Sequence, residues 1–143
     1  MSFGDIEKII RSCGSYTKKA VYVKNIADIL LHDYNGKVPN SREILETFPG
    51  VGPKTCSVVL KNIYNVPAIP VDTHVERVCK RLGIVFNNAT PRDVEEILKN
   101  EIPVDKWNRV SEQILLFGRY YCRAINPKCD NCLFKDFCKY KRN

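Results

Sequence analysis

Apolar residues recur at three- and four-residue intervals along most of the chain, the spacing of helices packed on one side, and the chain is predicted all-α. Ile6, Ile9 and Ile10 predict a short helix ending near Gly14. Tyr16 to Leu31 predicts a longer one with Ala20, Val23, Ala27, Leu30 and Leu31 on a broad apolar face, stopped by Asn35-Gly36. Lys18, Lys19 and Lys24 fall on or near its polar side, and Tyr22 reads as core or boundary packing. Asn40 and Glu43 have the spacing of a capping box ahead of Ile44, Leu45 and Phe48. Lys54 to Tyr64 carries Cys56, Val58, Val59, Leu60 and Ile63, a largely buried helix. After Pro67 and Pro70, Thr73 and Glu76 are spaced as a second capping box, which leaves Asp72 just outside a helix that Gly83 ends. Thr90-Pro91-Arg92-Asp93 starts another, with Val94, Ile97 and Leu98 on its buried side. Beyond Pro103, Asp105 to Ala124 predicts a last long helix packed through Trp107, Val110, Ile114, Leu115 and Phe117.

Two of these helices flank Phe48-Pro49-Gly50-Val51-Gly52-Pro53-Lys54-Thr55. Glycines two apart allow a tight turn and close approach of the backbone to something outside the protein. Main-chain N–H groups at the following helix start can take an anion such as a phosphodiester, with Lys54 beside it. An ordinary two-helix turn, in which Gly50 and Gly52 only reverse the chain, has the same pattern. Asp72, at the positively polarised end of a later helix, is the best carboxylate partner for Lys54, although capping alone also accounts for it. His74 reads as a structural hydrogen-bonding residue, and Arg77 and Lys80 as surface or phosphate contacts.

Charge sharpens the choice of partner. The 143 residues hold 23 Lys and Arg against 16 Asp and Glu, a formal net charge of +7, with the basic residues spread along the chain. A polyanion is the expected partner. This length suits one domain, or one domain with an appendage. No run has the length of a transmembrane helix and the first residues do not form a signal peptide, so the chain is expected to be intracellular.

Of seven cysteines, Cys13, Cys56 and Cys79 are scattered, whereas Cys122, Cys129, Cys132 and Cys138 crowd the end of the chain. Four thiolates in one short segment suit a tetrahedral zinc or an iron–sulfur cluster, and the spacing does not choose between them. Arg119, Arg123, Lys128, Lys135, Lys139 and Lys141 surround the segment and would offset the negative charge of a ligated cluster.

Together, Pro49 to Thr55, Val71-Asp72-Thr73-His74-Val75, Gly118-Arg119-Tyr120-Tyr121-Cys122 and the cysteine intervals closely resemble the endonuclease III family of the helix-hairpin-helix DNA glycosylase superfamily. The 18-residue separation of Lys54 and Asp72, combined with cysteine intervals of six, two and five residues, is the most specific part. The resemblance implies a helix-hairpin-helix glycosylase fold with an incomplete six-helix barrel, because the family's pattern starts well before Met1, plus a helical iron–sulfur region. Residues 1–70 would be the remaining barrel, with the helix-hairpin-helix at 41–65, and residues 71–143 a helical domain whose cluster loop is 122–138.

By the same resemblance Lys54 and Asp72 are catalytic, and Gly50, Val51, Gly52, Lys54 and Thr55 contact DNA. Cys122, Cys129, Cys132 and Cys138 would hold a 4Fe-4S cluster. The implied activity is excision of oxidised pyrimidines from damaged double-stranded DNA in base excision repair, through a Lys54 Schiff base and β-elimination. The alternative is a truncated iron–sulfur DNA-binding protein with abasic-site lyase activity only, or none. A mismatch-specific thymine glycosylase shares the fold. The expected setting is cytoplasmic, at the nucleoid in a bacterium, with no membrane partner, the chain acting as a monomer or completed by an N-terminal segment or second chain. Ser111-Glu112 departs from the paired histidines of many relatives, which implies a local change in hydrogen bonding.

Overall fold

A computed structural model describes residues 1–140; Lys141, expected among the cations around the cysteines, lies outside the described residues. Within them the chain forms α-helices joined by turns: α1 (Phe3–Ile9), α2 (Tyr16–Asp33), α3 (Arg42–Leu45), α4 (Pro53–Tyr64), α5 (Thr73–Leu82), α6 (Pro91–Glu101) and α7 (Trp107–Tyr120), the last entered through a 3-10 turn at Val104–Lys106. The all-α, helix-hairpin-helix-like expectation holds. No helix among the described residues is long and apolar enough to cross a membrane.

Two compact units divide the chain, Met1–Gly52 and Pro53–Asn143. In the first, Ser2 and Asp5 form a capping box that starts α1, and α1 packs on α2. Ile6 and Ala20 are buried in this unit, but Val23, Ala27 and Leu31, expected on a buried face, are exposed. A seven-residue helix covers too little of an 18-residue one to hide that face. The cap of α3 is Ser41, not Asn40: its hydroxyl accepts from the Ile44 N–H at 3.3 Å and donates to Glu43. That hydrogen bond holds the Glu43 carboxyl below its ordinary value. Phe48 is buried, with its ring centroid 5.6 Å from that of Tyr34.

The second unit is built on Ile69, Val71, Val75, Cys79, Val85, Val94 and Leu98, all buried, with Ile97, Trp107, Ile114 and Leu115 packed around them. The helix patterns place these residues: Val75 and Cys79 are one turn apart on α5, as Val94 and Leu98 are on α6. Thr90 and Asp93 close the expected capping box on α6, with Pro91 at the first helical position. Asn65, at φ 54°, ends α4 as the Val66 N–H returns to the Leu60 carbonyl at 3.2 Å.

Two expectations for the end of the chain are corrected. α7 stops at Tyr120, not Ala124: the Tyr121 N–H makes the last regular helical bond, to the Phe117 carbonyl, and the Cys122 N–H returns to the same carbonyl instead of advancing to the next one, at 2.9 Å each. Residues 121–140 then run as turns without a helix, and no metal-holding group is found there (below). Among the described residues the fold is therefore all-α, without the iron–sulfur region implied for it.

Candidate active site

Lys54 is the second residue of α4 and is exposed. Pro53 at the first position supplies no N–H, while the amides of Lys54 and Thr55 belong to the first turn, where no helical acceptor exists. No acidic residue stands in that turn. Gly50, in the preceding unit, has φ 75°, and a Cβ there would run into the Tyr22 ring, so both backbone and packing demand glycine. Gly52 differs: its φ is not positive and a Cβ would meet nothing within 4 Å. The Val51 N–H is already spent on the Phe48 carbonyl at 3.0 Å. Of the five expected DNA contacts, Val51 thus offers a place in the turn but no free amide.

Asp72 is itself the N-cap of α5, which corrects the Thr73–Glu76 box. Its Oδ1 accepts from the N–H groups of His74 (2.9 Å) and Val75 (3.0 Å). One oxygen of the carboxylate is thus tied to the helix start, and among the described residues Oδ2 carries no hydrogen bond. No hydrogen bond or ion pair joins Asp72 to Lys54 among the described residues. Both belong to the second unit, each at a helix start, as the sequence implied.

Behind Asp72 lies a set of contacts that the sequence did not reveal. The Arg77 guanidinium donates from Nε to the Cys122 carbonyl (3.0 Å), from Nη2 to the Gly118 carbonyl (2.7 Å) and from Nη1 to the Thr73 carbonyl (3.3 Å). Nη2 also meets His74 Nδ1 at 3.1 Å; a guanidinium has no acceptor, so the imidazole nitrogen accepts, and His74 is the structural hydrogen-bonding residue expected. One turn on, Arg81 donates to the carbonyls of Arg123 (2.7 Å) and Ala124 (3.3 Å) and stacks on the Tyr140 ring. The four-residue spacing of Arg77 and Arg81 was the available signal, since it puts both on one side of α5. Their acceptors across the helix pair, carbonyls in the last turn of α7 and in the segment just after it, leave no mark in a sequence.

Cys122, Cys129, Cys132 and Cys138 line one small pocket with Leu82, Phe117 and Tyr121. Yet among the described residues no group of three or more Cys, His, Asp or Glu side chains stands where it could hold a metal ion. Three of the sulfurs make other contacts: Cys138 Sγ donates to the Arg81 carbonyl (3.3 Å), Cys122 Sγ accepts from Arg81 Nη1 (3.4 Å), and Cys132 Sγ accepts from the Phe134 N–H (3.4 Å). The residues present do not fit a 4Fe-4S cluster, and the metal role inferred for the four cysteines is corrected. The surrounding cations lose their expected task with it. Lys128 instead lies over the Tyr121 ring, and Arg123 donates to the Asn126 carbonyl. Ser111 is buried and donates its hydroxyl to the Asn108 carbonyl at 3.1 Å.

Residues 1–104 match the HhH-GPD superfamily of base excision DNA repair proteins. Endonuclease III of Bacillus subtilis is 39% identical over 94% of this chain and 62% of its own length. A trapped covalent intermediate of endonuclease III with DNA, in an estranged-adenine complex, superposes with a TM-score of 0.92 at 40% identity, over 97% of this chain and 65% of that one. A thermostable thymine-DNA glycosylase superposes at 0.83 with 27% identity, over 98% of this chain and 66% of that one. The chain thus spans less than two thirds of the endonuclease III proteins it matches.

Proposed function

This chain belongs to the HhH-GPD superfamily of base excision DNA repair proteins, and from that premise we propose a bifunctional DNA glycosylase and abasic-site lyase acting on oxidised pyrimidines in duplex DNA. The observation that carries the reading is an exposed lysine in the first turn of α4, in a chain whose helices superpose on an endonuclease III trapped covalently on DNA. A mismatch-specific thymine glycosylase gains less support, because that likeness comes with lower identity.

In this reading the turn at Gly50 and Gly52 and the first amides of α4 hold the DNA backbone. Amides at a helix start with no acidic neighbour suit a phosphate. A damaged nucleotide leaves the stack, and Lys54 Nζ, having shed its proton, attacks C1′ as the C1′–N bond breaks and the base leaves with the electron pair. Opening of the sugar ring gives the imine. Loss of a proton from C2′ then expels the 3′ phosphate, and water releases the amine. Asp72 Oδ2 faces the positive charge that develops on the sugar and assists the proton transfers, while Oδ1 keeps the carboxylate in place through His74 and Val75. The site of action is where that DNA lies, in the cytoplasm and, in a bacterium, at the nucleoid.

The test is borohydride trapping on duplexes carrying thymine glycol or an abasic site. The expected result is a covalent adduct on both, lost in K54Q. An adduct on abasic DNA alone reduces the activity to a lyase without base selection, and no adduct on either refutes the enzyme.

A further inference from the structure

We infer, on the strength of the function proposed above, that Arg77 is a positioning residue for Asp72, acting as a clamp between the first turn of α5 and the end of α7. The Asp72 carboxylate is tied through Oδ1 to the amides of His74 and Val75, so the place of Oδ2 is set by where that first turn sits. Val75 seats the turn in the core through its side chain, but the polar groups of the turn need a tie of their own. Arg77 supplies it. Its Nη1 donates to the Thr73 carbonyl and its Nη2 to the His74 ring, both in the turn, while Nη2 and Nε also donate to the carbonyls of Gly118 and Cys122 across the helix pair.

Four acceptors converge on one planar group with fixed donor directions, an arrangement an ammonium on a flexible stem does not reproduce. The cation also stands at the C-terminus of α7, where the exposed carbonyls favour positive charge. Gly118 completes the clamp. A Cβ there would lie 2.9 Å from the His74 carbonyl oxygen, so the absence of a side chain lets α7 touch the backbone of the same turn. Loosening any of these contacts frees the turn and moves the carboxylate relative to the sugar it is to face.

Because Asp72 acts on charge that develops during the reaction, displacing it lowers the rate of the chemical step more than binding. R77K is therefore expected to slow single-turnover imine formation on abasic duplex roughly 10- to 100-fold with KM little changed. In a D72N background the same substitution is expected to have almost no further effect, since the group it positions is gone; a merely structural role would slow both backgrounds alike. Amide exchange at His74 and Val75 is expected to quicken about tenfold in R77K while exchange in α6 stays unchanged. Should R77K fail to fold, H74L, which removes one acceptor of the clamp, is expected to reproduce the rate loss and faster exchange in weaker form. Unchanged rate and exchange in whichever variant folds, or equal rate losses in the two backgrounds, overturn the inference. Absence of any adduct from the unsubstituted chain would overturn the glycosylase reading instead, and exchange at His74 and Val75 would still judge the clamp.

Discussion

Replacing Gly118 by alanine sets two opposed terms against each other at the α5–α7 contact. Alanine in a helix interior is favoured over glycine by about 1 kcal/mol, which by itself would stabilise α7. The added Cβ, however, would lie 2.9 Å from the His74 carbonyl oxygen, 3.0 Å from His74 Cβ and 3.1 Å from Val78 Cγ2. The nearest atom is backbone, and that backbone is pinned: the His74 amide is held by Asp72 and its ring by Arg77. The helices must part by a few tenths of an ångström, an overpacking cost of about 1–3 kcal/mol. Parting them also stretches the 2.7 Å bond from Arg77 to the Gly118 carbonyl, and a bond from a charged donor contributes roughly 1.5–3 kcal/mol when intact. The steric and hydrogen-bond terms outweigh the propensity gain, so Gly118→Ala is expected to destabilise by about 1–3 kcal/mol. In a chain of this size the melting temperature should fall by roughly 3–10 °C. Thermal and urea unfolding followed by far-ultraviolet circular dichroism measure it. An unchanged or raised midpoint would mean that propensity wins, and the close α5–α7 approach would be refuted.

Further tests address other links in the chain. Gly50→Ala meets both a φ of 75° and the Tyr22 ring, and is expected to cost about 1–3 kcal/mol in urea unfolding; adding Tyr22→Ala removes the clash but not the backbone strain, so only part of the loss should return. Burial pushes the Cys79 thiol up to about 11 from an ordinary value of 9.0. The unfolded thiol ionises first, so this contribution is fully present below pH 9.0 and is lost as pH rises towards 11. The urea midpoint of the parent should therefore fall more steeply than that of Cys79→Ala across this window, and parallel curves would contradict the burial argument. In the folded protein at neutral pH a thiol reagent should label exposed Cys13 and leave Cys79 untouched.

Much of the candidate site was legible along the chain. Lys54 and Asp72 were picked out as residues at helix starts, and the structure puts them there, because helix starts are written locally in proline, in capping side chains and in the return of apolar periodicity. The caps themselves were misassigned by one residue at Ser41 and Asp72. Adjacent polar residues have nearly equal capping ability, and the one that caps is the one whose backbone leaves the helical region.

The cysteine segment shows the opposite limit. Four cysteines close in sequence suggested metal ligands, yet among the described residues no three of them stand as such a group, because closeness along the chain does not fix where the side chains point. By itself, then, the sequence determined the helices, their apolar faces in the second unit and the two candidate reactive side chains, all of which depend on neighbours within one or two turns. Only the tertiary structure decided that Arg77 ties the turn behind Asp72 to the end of α7 and that Gly118 must lack a side chain. Those contacts join residues 41 and 45 positions apart, and their strength comes from carbonyl groups that every residue carries alike, so no residue type announces them.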